Sequence, residues 1–344
     1  MTRVLRLLAV LVSGMLLLSA CSTGPASGGG SSANASGSGG TAEAGAFPVT
    51  IKHAFGQTTI DKEPTRVATV GWSDQDMALS LGVVPVGSTK ITYGGNGKGS
   101  TAWFDAKLAE LGGTQPTRWD ENDGIPFDAI AKANPDVILA TNSGLTQADY
   151  DKLSKIAPVV AYPEKAWTTP WQTSLSMVGQ ALGRPAAAKK VEQETVDRIR
   201  TAVDQHPAIK GKSFIFAAAM STDTSKLSVY TSVDNRVRIL SELGLTVAPV
   251  VEQLNTSKGA FYYDVSAERA PKLTSDVAMI YSDAKDVVTK DKLLSQMPAV
   301  KRGASVVVTN EPEAGTLSTP SPLSIPTLLA TYLPQLDAAA QKAG

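Results

Sequence analysis

The chain has 344 residues, with 32 Lys and Arg against 32 Asp and Glu, so its net charge gives no argument for nucleic-acid binding. A hydrophobic content of 42% is typical of a packed soluble protein. The single cysteine excludes an intrachain disulfide and a thiolate-rich metal site.

The first 20 residues have the layout of an export signal. Arg3 and Arg6 form a positive region, and 7–18 is an apolar stretch too short for a comfortable membrane span. The sequence LSAC at 18–21 resembles the lipobox at which bacterial lipoproteins are cleaved. The resemblance implies that Cys21 becomes the first mature residue and carries a diacylglycerol anchor. The alternative is an ordinary signal peptide with an incidental cysteine.

Residues 22–46 are almost all Gly, Ser, Ala and Thr. Such a segment lacks the apolar surface to offset the entropy of ordering, so we expect 21–46 to be a lipidated cysteine followed by a flexible tether. No later segment has about 18 continuous apolar residues, and the sequence therefore predicts no transmembrane helix. An anchor and a tether together would place the protein at the outer face of the cytoplasmic membrane.

The segment 47–182 alternates short apolar runs with helical patterns. Strands are predicted at 66–71, 83–88, 134–141 and 159–162, and helices at 73–82 and 146–157. Ser73 is expected to cap the first of these helices, and Gly82 to end it. This alternation is typical of an α/β lobe with a mostly parallel sheet.

A single amphipathic helix is predicted at 183–207. Gly183 ends the preceding helix, and Pro185 suits the first turn of the next one. Residues that can be buried recur every four positions from Val191 to Val203, and the other side is charged. Because a helix that joins two lobes is stiffer than a loop, we do not expect a large hinge closure.

The segment 208–344 repeats the α/β scheme. Strands are predicted at 213–220, 227–231, 245–250, 275–282 and 304–310, with a helix at 234–244. Asp128 lies eight positions before the Asp136-Val pair that opens a strand, and Glu268 lies eight positions before Asp276-Val. This spacing favours two Rossmann-like lobes with mostly parallel sheets, built on one plan and joined by the long helix.

Two stretches resemble a known family. They are IKHAFGQTTIDKEPTRVATVGWSDQDMALSLGVVPVG at 51–87 and NDGIPFDAIAKANPDVILATNSGLTQADYDKLSKIAPVVAY at 122–162. The chain, from 47 to about 340, resembles the solute-binding proteins of ABC importers that have one long interlobe helix. Within that class it is similar to the iron-siderophore-binding lipoproteins of Gram-positive bacteria, actinobacteria in particular.

The resemblance implies a monomeric receptor without enzymatic activity. It would capture a ferric siderophore outside the cytoplasmic membrane and deliver it to a permease dimer, for which an ATPase partner supplies the energy. Iron would enter only as part of the bound chelate, with no cofactor or metal site of the protein's own. The class of chelate (hydroxamate, catecholate, carboxylate or mixed) stays open.

Asp128 and Glu268 begin predicted helices, where a carboxylate complements the helix dipole. The resemblance implies a second role, in which each acid pairs with an arginine of one permease subunit and fixes the register of docking. The family more often has Glu at the position of Asp128. Its shorter side chain reaches less far toward a partner.

The ligand is expected in the cleft between the lobes, at the carboxyl ends of the strands. Aromatic rings can pack on a bulky chelate, and arginine can meet its oxygens. Candidates in the first lobe are Trp72, Tyr93, Trp103, Arg118, Trp119, Asn142, Trp167 and Trp171. Candidates in the second lobe are Asp223, Tyr230, Arg236, Tyr262 and Tyr263. We expect Arg118 and Trp119 to be the strongest pair.

Other functions remain as alternatives. Heme or cobalamin could occupy the same fold, although no Met or His marks an axial ligand. A protein that binds bare metal ions would cluster several histidines, whereas His53 and His206 are far apart. An exported hydrolase is suggested only by the S-x-x-K pattern at 282–285, which lacks the S-D-N and K-T-G elements that accompany it.

Overall fold

The computed structural model describes residues 41–343. The signal peptide, Cys21 and the tether up to residue 40 lie outside the described residues. None of the helices within 41–343 is long and apolar enough to cross a membrane.

The N-terminal lobe contains a parallel five-stranded sheet and a separate hairpin. Its strands are β1 (Val49–His53), β2 (Gly56–Ile60), β3 (Val67–Thr69), β4 (Gly87–Thr89), β5 (Thr117–Trp119), β6 (Val137–Ala140) and β7 (Val159–Ala161). Its helices are α1 (Asp74–Ser80), α2 (Ala102–Glu110), α3 (Phe127–Lys132), α4 (Gln147–Leu153) and α5 (Trp171–Ala181). The sheet order is β5-β4-β3-β6-β7, and β1 pairs antiparallel with β2 outside it.

The interlobe helix α6 spans Pro185–Asp204. The C-terminal lobe follows with β8 (Ser213–Met220), β9 (Asp223–Tyr230), β10 (Thr246–Val247), β11 (Tyr262–Ser266), β12 (Val277–Tyr281) and β13 (Ser305–Val308). Its helices are α7 (Asn235–Glu242), α8 (Pro249–Gln253), α9 (Val287–Lys290), α10 (Pro298–Lys301), α11 (Gly315–Ser318), α12 (Ile325–Thr331) and α13 (Leu333–Gln341). The predicted two-lobe α/β fold is confirmed.

The second sheet is mixed, whereas the sequence predicted a mostly parallel one. Its order is β11-β9-β8-β12-β13, with β10 beside β8. Strand β9 is antiparallel to both β8 and β11. The physical reason is the length of the connection, because only Ser221 and Thr222 separate β8 from β9 and a parallel crossover needs a dozen residues or more.

The two Asp-Val pairs have the same role in the two lobes. Asp136 accepts hydrogen bonds from the backbone N–H and hydroxyl of Thr65, both at 2.8 Å, and from the N–H of Arg66. Asp276 accepts the N–H and hydroxyl of Ser213, both at 2.7 Å. In each lobe the carboxylate therefore ties the start of a central strand to its parallel neighbour.

The lobes share a core through α6. Ile199 and Val203 of that helix belong to one continuous apolar cluster with Met77 of the first lobe and Phe214 of the second. Hydrogen bonds cross between the lobes as well. Trp171 Nε1 and Gln172 Nε2 both donate to the Glu242 carboxylate at 3.0 Å. The second lobe is thus attached to the first at several points besides the connecting helix.

The end of the predicted tether is tied to the start of α6. Glu43 Oε1 accepts the backbone N–H groups of Ala186 and Ala187 at 2.8 and 3.2 Å. The N–H of Glu43 donates to the carbonyl of Gly183 at 2.7 Å. These are the first free N–H groups of the helix, since Pro185 has none. Glu43 therefore caps the interlobe helix from a distant part of the chain.

We expect Glu43→Ala to lower the free energy of unfolding by about 0.5–2 kcal/mol, the range for loss of a helix cap. Glu43→Gln keeps an acceptor oxygen and should cost less than Glu43→Ala. Denaturant unfolding of residues 41–344 measures both. Equal stability of Glu43→Ala and the wild type would mean that water replaces the cap at no cost.

Candidate functional site

A cavity of ≈ 200 Å³ lies between the lobes. The first lobe supplies Trp72, Asn142 and Trp167, and the second supplies Asp234, Asn235, Arg236, Phe261, Ser318 and Thr319. Trp72, Asn142 and Trp167 follow strands β3, β6 and β7. The cavity therefore lies at the carboxyl-end edge of the first sheet, where parallel sheets bind ligands.

Two indole rings form the first wall. Trp72 and Trp167 meet edge to face with ring centroids 6.0 Å apart. Trp167 is 40% exposed, which is unusual for so large an apolar side chain. Its φ of 63° is rare for a bulky residue, and its N–H donates to the carbonyl of Ser143 at 3.1 Å. The chain thus holds this indole at the cavity in a sparsely populated backbone conformation.

Asn142 adds an unsatisfied polar group to the same wall. Its side chain is only 4% exposed, and its Oδ1 has no hydrogen-bond partner among residues 41–343. A buried carbonyl oxygen without a partner costs about 1–3 kcal/mol. This oxygen is enclosed by the protein, so Asn142 contributes to the cavity wall through other atoms of the residue.

The second wall carries a neutral ion pair. Arg236 donates from Nη1 to Asp234 Oδ2 at 2.8 Å, and its guanidinium lies 4.9 Å from the ring centroid of Tyr230. Asp234 also caps α7 by accepting the N–H of Arg236. Burial raises the pKa of Asp234, while the guanidinium beside it acts in the opposite direction. The pair contributes one charge of each sign to the cavity.

An aromatic shelf extends from this wall. Tyr262 lies 5.8 Å from Tyr230 and 5.0 Å from Phe261, measured between ring centroids. Phe261 and Tyr262 are 37% and 42% exposed. Together with Trp167 they leave three large aromatic rings accessible at the cleft, which suits the docking of a bulky, partly apolar ligand.

Several predicted contacts lie elsewhere, and Trp119 is the clearest correction. It is only 3% exposed and packs in the core of the first lobe, where its ring covers Gly87. Tyr263 is also 3% exposed, and its hydroxyl donates to the carbonyl of Val251 inside the second lobe. Successive strand residues face opposite sides, so Trp119 and Tyr263 point into the cores rather than into the cleft.

Arg118 is engaged inside the first lobe. It donates to Ser88 Oγ at 2.7 Å and to Ser100 Oγ at 3.0 Å, and its guanidinium lies 4.7 Å from the ring centroid of Phe104. The structure therefore places it outside the cavity wall, contrary to our expectation that Arg118 and Trp119 form the principal pair. Asp223 is the exposed first residue of β9, and it accepts a hydrogen bond from the N–H of Ser225.

Trp103 and Tyr93 join parts of the molecule next to the cleft. Trp103 Nε1 donates to Asp76 Oδ2 at 2.7 Å, and Ser321 donates to the same oxygen at 2.8 Å. Burial raises the pKa of Asp76 to about 6. Tyr93 meets Tyr281 of the second lobe with ring centroids 5.2 Å apart. Both aromatics therefore support the lobe arrangement rather than line the cavity.

Five residues of the cavity wall were not predicted from the sequence: Asp234, Asn235, Phe261, Ser318 and Thr319. An available signal was the Asp-Asn pair shortly after the strand predicted at 227–231, because aspartate there can cap the next helix at the end of a strand. Ser318 and Thr319 come from the end of α11, a four-residue helix that no periodicity in the sequence revealed.

The two predicted docking acids are exposed. Asp128 is the second residue of α3, after β5, and Glu268 lies in a 3₁₀ turn after β11 rather than in an α-helix. Neither makes an ion pair or a side-chain hydrogen bond with another residue of the part of the chain described. Because β11 and β8 are both antiparallel to β9, they run in the same direction. Glu268 therefore lies at the edge where β8 ends.

The histidines lie outside the cavity wall. His53 is buried and its Nε2 lies 2.9 Å from the hydroxyl of Thr58, while Nδ1 of His206 lies 3.9 Å from Asp337. Across residues 41–343, no group of three or more His, Cys, Asp or Glu side chains is arranged to hold a metal ion.

Comparison with known proteins gives consistent results. The periplasmic binding protein family matches residues 67–312. The structure of Streptococcus pneumoniae TIGR4 PiaA in complex with ferrichrome is 41% identical, with a TM-score of 0.80, over 86% of this chain and 99% of that one. A periplasmic solute binding protein from Mycobacterium smegmatis is 31% identical, with a TM-score of 0.72, over 85% and 98%.

Staphylococcus aureus SirA, solved with staphyloferrin B, is 21% identical, with a TM-score of 0.65, over 86% of this chain and 98% of that one. At that identity the likeness extends to the fold alone. No curated protein matches the sequence significantly. The match over residues 67–312 and the 41% identity to PiaA confirm the resemblance drawn from the sequence, and the chain belongs to the periplasmic binding protein family.

Proposed function

We propose that the protein is the substrate-binding component of an ABC importer and that it captures a ferric siderophore between its lobes. The observation that carries this proposal is the cavity bounded by Trp72 and Trp167 on one side and by Arg236 on the other. Indole faces suit a bulky chelate with apolar and amide surface, and guanidinium suits its oxygen atoms. The relative that is 41% identical was solved with ferrichrome, which supports the same class of ligand.

The charges in the cavity favour an uncharged chelate. Asp234 and Arg236 are the charged residues of the wall, and they neutralise each other at 2.8 Å. Three hydroxamate groups balance the charge of Fe³⁺, whereas three catecholates leave the complex strongly negative. Burying uncompensated charge is costly. We therefore propose that the ligand is a neutral ferric hydroxamate of the ferrichrome class.

Titration of residues 41–344 against a panel of chelates, followed by tryptophan fluorescence, tests this function. A ferric tris-hydroxamate should quench the indole emission and saturate, and a ferric tris-catecholate should bind at least tenfold more weakly. Heme and cobalamin serve as the alternatives. Saturable binding of heme or cobalamin, without binding of any ferric chelate, would replace the proposal.

The remaining parts of the import system are also proposals. The protein would be anchored through Cys21 at the outer face of the cytoplasmic membrane, and a permease dimer with its ATPase would receive the chelate. The protein itself would do no chemistry. Exposed acids without partners at Asp128 and Glu268 support docking, since each lies beyond the carboxyl end of a strand in its own lobe.

We expect Asp128→Ala with Glu268→Ala to impair chelate uptake by cells while leaving chelate affinity in solution intact. Exposed ion pairs contribute only about 0–1 kcal/mol each, so either single change should have a small effect. Glu268→Arg should be worse than Glu268→Ala, because it adds repulsion to the loss of a partner. Asp61→Ala, another exposed acid, is the control.

Uptake is measured with radioactive iron at limiting chelate, and affinity is measured on the purified variants. Wild-type uptake by the double variant would remove the docking role. Loss of affinity in solution would instead assign these acids to ligand binding.

A further inference from the structure

A buried carboxylate lies behind the first wall of the cavity. Asp74, the first residue of α1, is fully buried. Its Oδ1 accepts the hydroxyl of Thr141 at 2.6 Å and the N–H of Thr141 at 3.1 Å. Its Oδ2 accepts the N–H of Asn142 at 3.3 Å. One side chain thus joins the connection after β3 to the connection after β6.

These two connections carry Trp72 and Asn142, and they are packed against each other. The N–H of Trp72 donates to the carbonyl of Asn142 at 3.1 Å. Gly71 has a φ of 86°, and a Cβ there would lie 2.6 Å from Cβ of Ser143. With so little space between them, the two connections cannot shift independently. A change in the hydrogen bonding between Asp74 and Asn142 therefore also changes the position of Trp72.

We propose that Asp74 is a positioning residue of the ligand cavity, which sets affinity by fixing the positions of Asn142 and Trp72 in the cavity wall. This inference rests on the proposed function, since it concerns the same cavity. Asp74 acts through Asn142 and Trp72 and does not itself line the cavity wall.

A carboxylate is suited to this task because both of its oxygens accept. Three donors converge on Asp74, divided between the two oxygens. An amide at this position would place an NH₂ group against either the donors of Thr141 or the N–H of Asn142. Asp74→Asn therefore keeps nearly the same shape, but it loses the hydrogen bonds to one of the two oxygens.

The hydrogen bonding of Asp74 to Thr141 and Asn142 is expected to depend on pH. Burial raises the pKa of Asp74 to about 6, and the hydrogen bonds from Thr141 and Asn142 act in the opposite direction. The other titratable or charged groups around the cavity are Asp76 on the same helix, Arg118 on β5, Glu121 beyond β5, and the Asp234–Arg236 pair on the opposite wall. Below pH 6 Asp74 takes up a proton and accepts less well, so chelate affinity should fall as the pH falls through 6.

The chain contains a matched control for Asp74. Asp136 accepts the N–H and hydroxyl of Thr65 on one oxygen and the N–H of Arg66 on the other. This is the same pattern of three donors, placed at the start of β6 rather than after its end. Asp136→Asn removes the same kind of contact from the same lobe without touching the cavity.

The experiment compares Asp74→Asn with Asp136→Asn, using ferrichrome as the probe and tryptophan quenching as the measurement. Asp74→Asn should bind about tenfold more weakly at pH 7.5, the size expected for loss of a hydrogen bond to a charged group. It should also lose much of the fall in affinity between pH 7.5 and pH 5. Asp136→Asn should keep both the affinity and the pH profile of the wild type.

Hydrogen exchange on the ligand-free protein tests the positioning without any ligand. At pH 7 the amide of Asn142 should exchange faster in Asp74→Asn than in the wild type, and in the wild type, corrected for intrinsic rate, it should exchange faster at pH 5 than at pH 7. The amide of Ile138, bonded to the carbonyl of Pro158 at 2.9 Å, should show neither change. Equal protection of Asn142 in Asp74→Asn and the wild type, or equal affinity of the two proteins, would overturn the inference. Failure of wild-type protein to bind any chelate would instead overturn the proposed function, and the exchange result would still decide the positioning.

Discussion

Arg236→Ala is expected to weaken the binding of a neutral ferric hydroxamate by about 1.5–3 kcal/mol, or roughly ten- to hundredfold. The change removes the cationic donor that faces the ligand. It also leaves Asp234, whose side chain is 4% exposed, without its partner at 2.8 Å. An unpaired carboxylate in the cavity wall would face the chelate oxygens, so the loss exceeds that of a single contact.

The double variant Asp234→Asn with Arg236→Met separates these two causes. Asparagine still caps α7, and methionine fills space over Tyr230 without charge. If the unpaired carboxylate causes most of the loss, the double variant should bind more tightly than Arg236→Ala. Calorimetric titration of both proteins measures the difference. Wild-type affinity of Arg236→Ala would place the ligand away from this wall.

Gly87→Ala is expected to lower the free energy of unfolding by about 3 kcal/mol or more, at the upper end for overpacking a core. Gly87 lies on β4 beneath the indole of Trp119. A Cβ at this position would lie 2.1 Å from Cζ3 of that ring. The indole is buried in the first lobe and cannot move aside without opening the core.

Trp119→Leu should relieve part of this cost, because the clash is with the ring. Thermal and denaturant unfolding of the two single variants and the double variant give the coupling energy between the positions. Gly97→Ala is the control, since a Cβ there meets nothing within 4 Å. Additive effects at positions 87 and 119 would mean that the ring does not rest on Gly87.

The architecture could be predicted because the sequence carries it locally. Asp136 and Asp276 each precede a buried strand, and the structure gives each of them the same bond to the neighbouring strand. The Gly-Arg-Pro start of the interlobe helix was also readable, since Pro185 and the four-residue spacing after it are helix signals. The antiparallel direction of β9 was harder to predict, because it depends on a two-residue turn between strands rather than on the composition of the strands.

The site was less predictable, because neighbouring residues on a strand lie on opposite faces, and one is exposed while the other is buried. Tyr262 is exposed at the cleft whereas Tyr263 is buried beneath it, and both are tyrosines. Arg118 and Trp119 present the same difficulty on β5. Which of two faces is covered depends on helices far along the chain, so composition alone cannot decide it. Trp72, Asn142, Trp167 and Arg236 were identified because each lies in a loop or a helix start between a strand and the following element.

The end of the predicted tether also differs from the sequence-based expectation, because Glu43 lies in a segment of low complexity and yet caps α6. A single acid among Gly, Ser and Ala gives no local signal of a partner 143 residues away. Only the folded structure, which brings the start of α6 beside Glu43, shows this cap.

A crystal structure of residues 41–344 grown with ferrichrome would show whether the chelate binds between the lobes. We predict that the chelate lies between the indoles of Trp72 and Trp167 and the guanidinium of Arg236, in contact with Asn142. Its density should appear with the Asp234–Arg236 pair intact. A chelate bound on another surface, or an empty cleft in crystals grown at saturating ferrichrome, would show that this cavity is not the binding site.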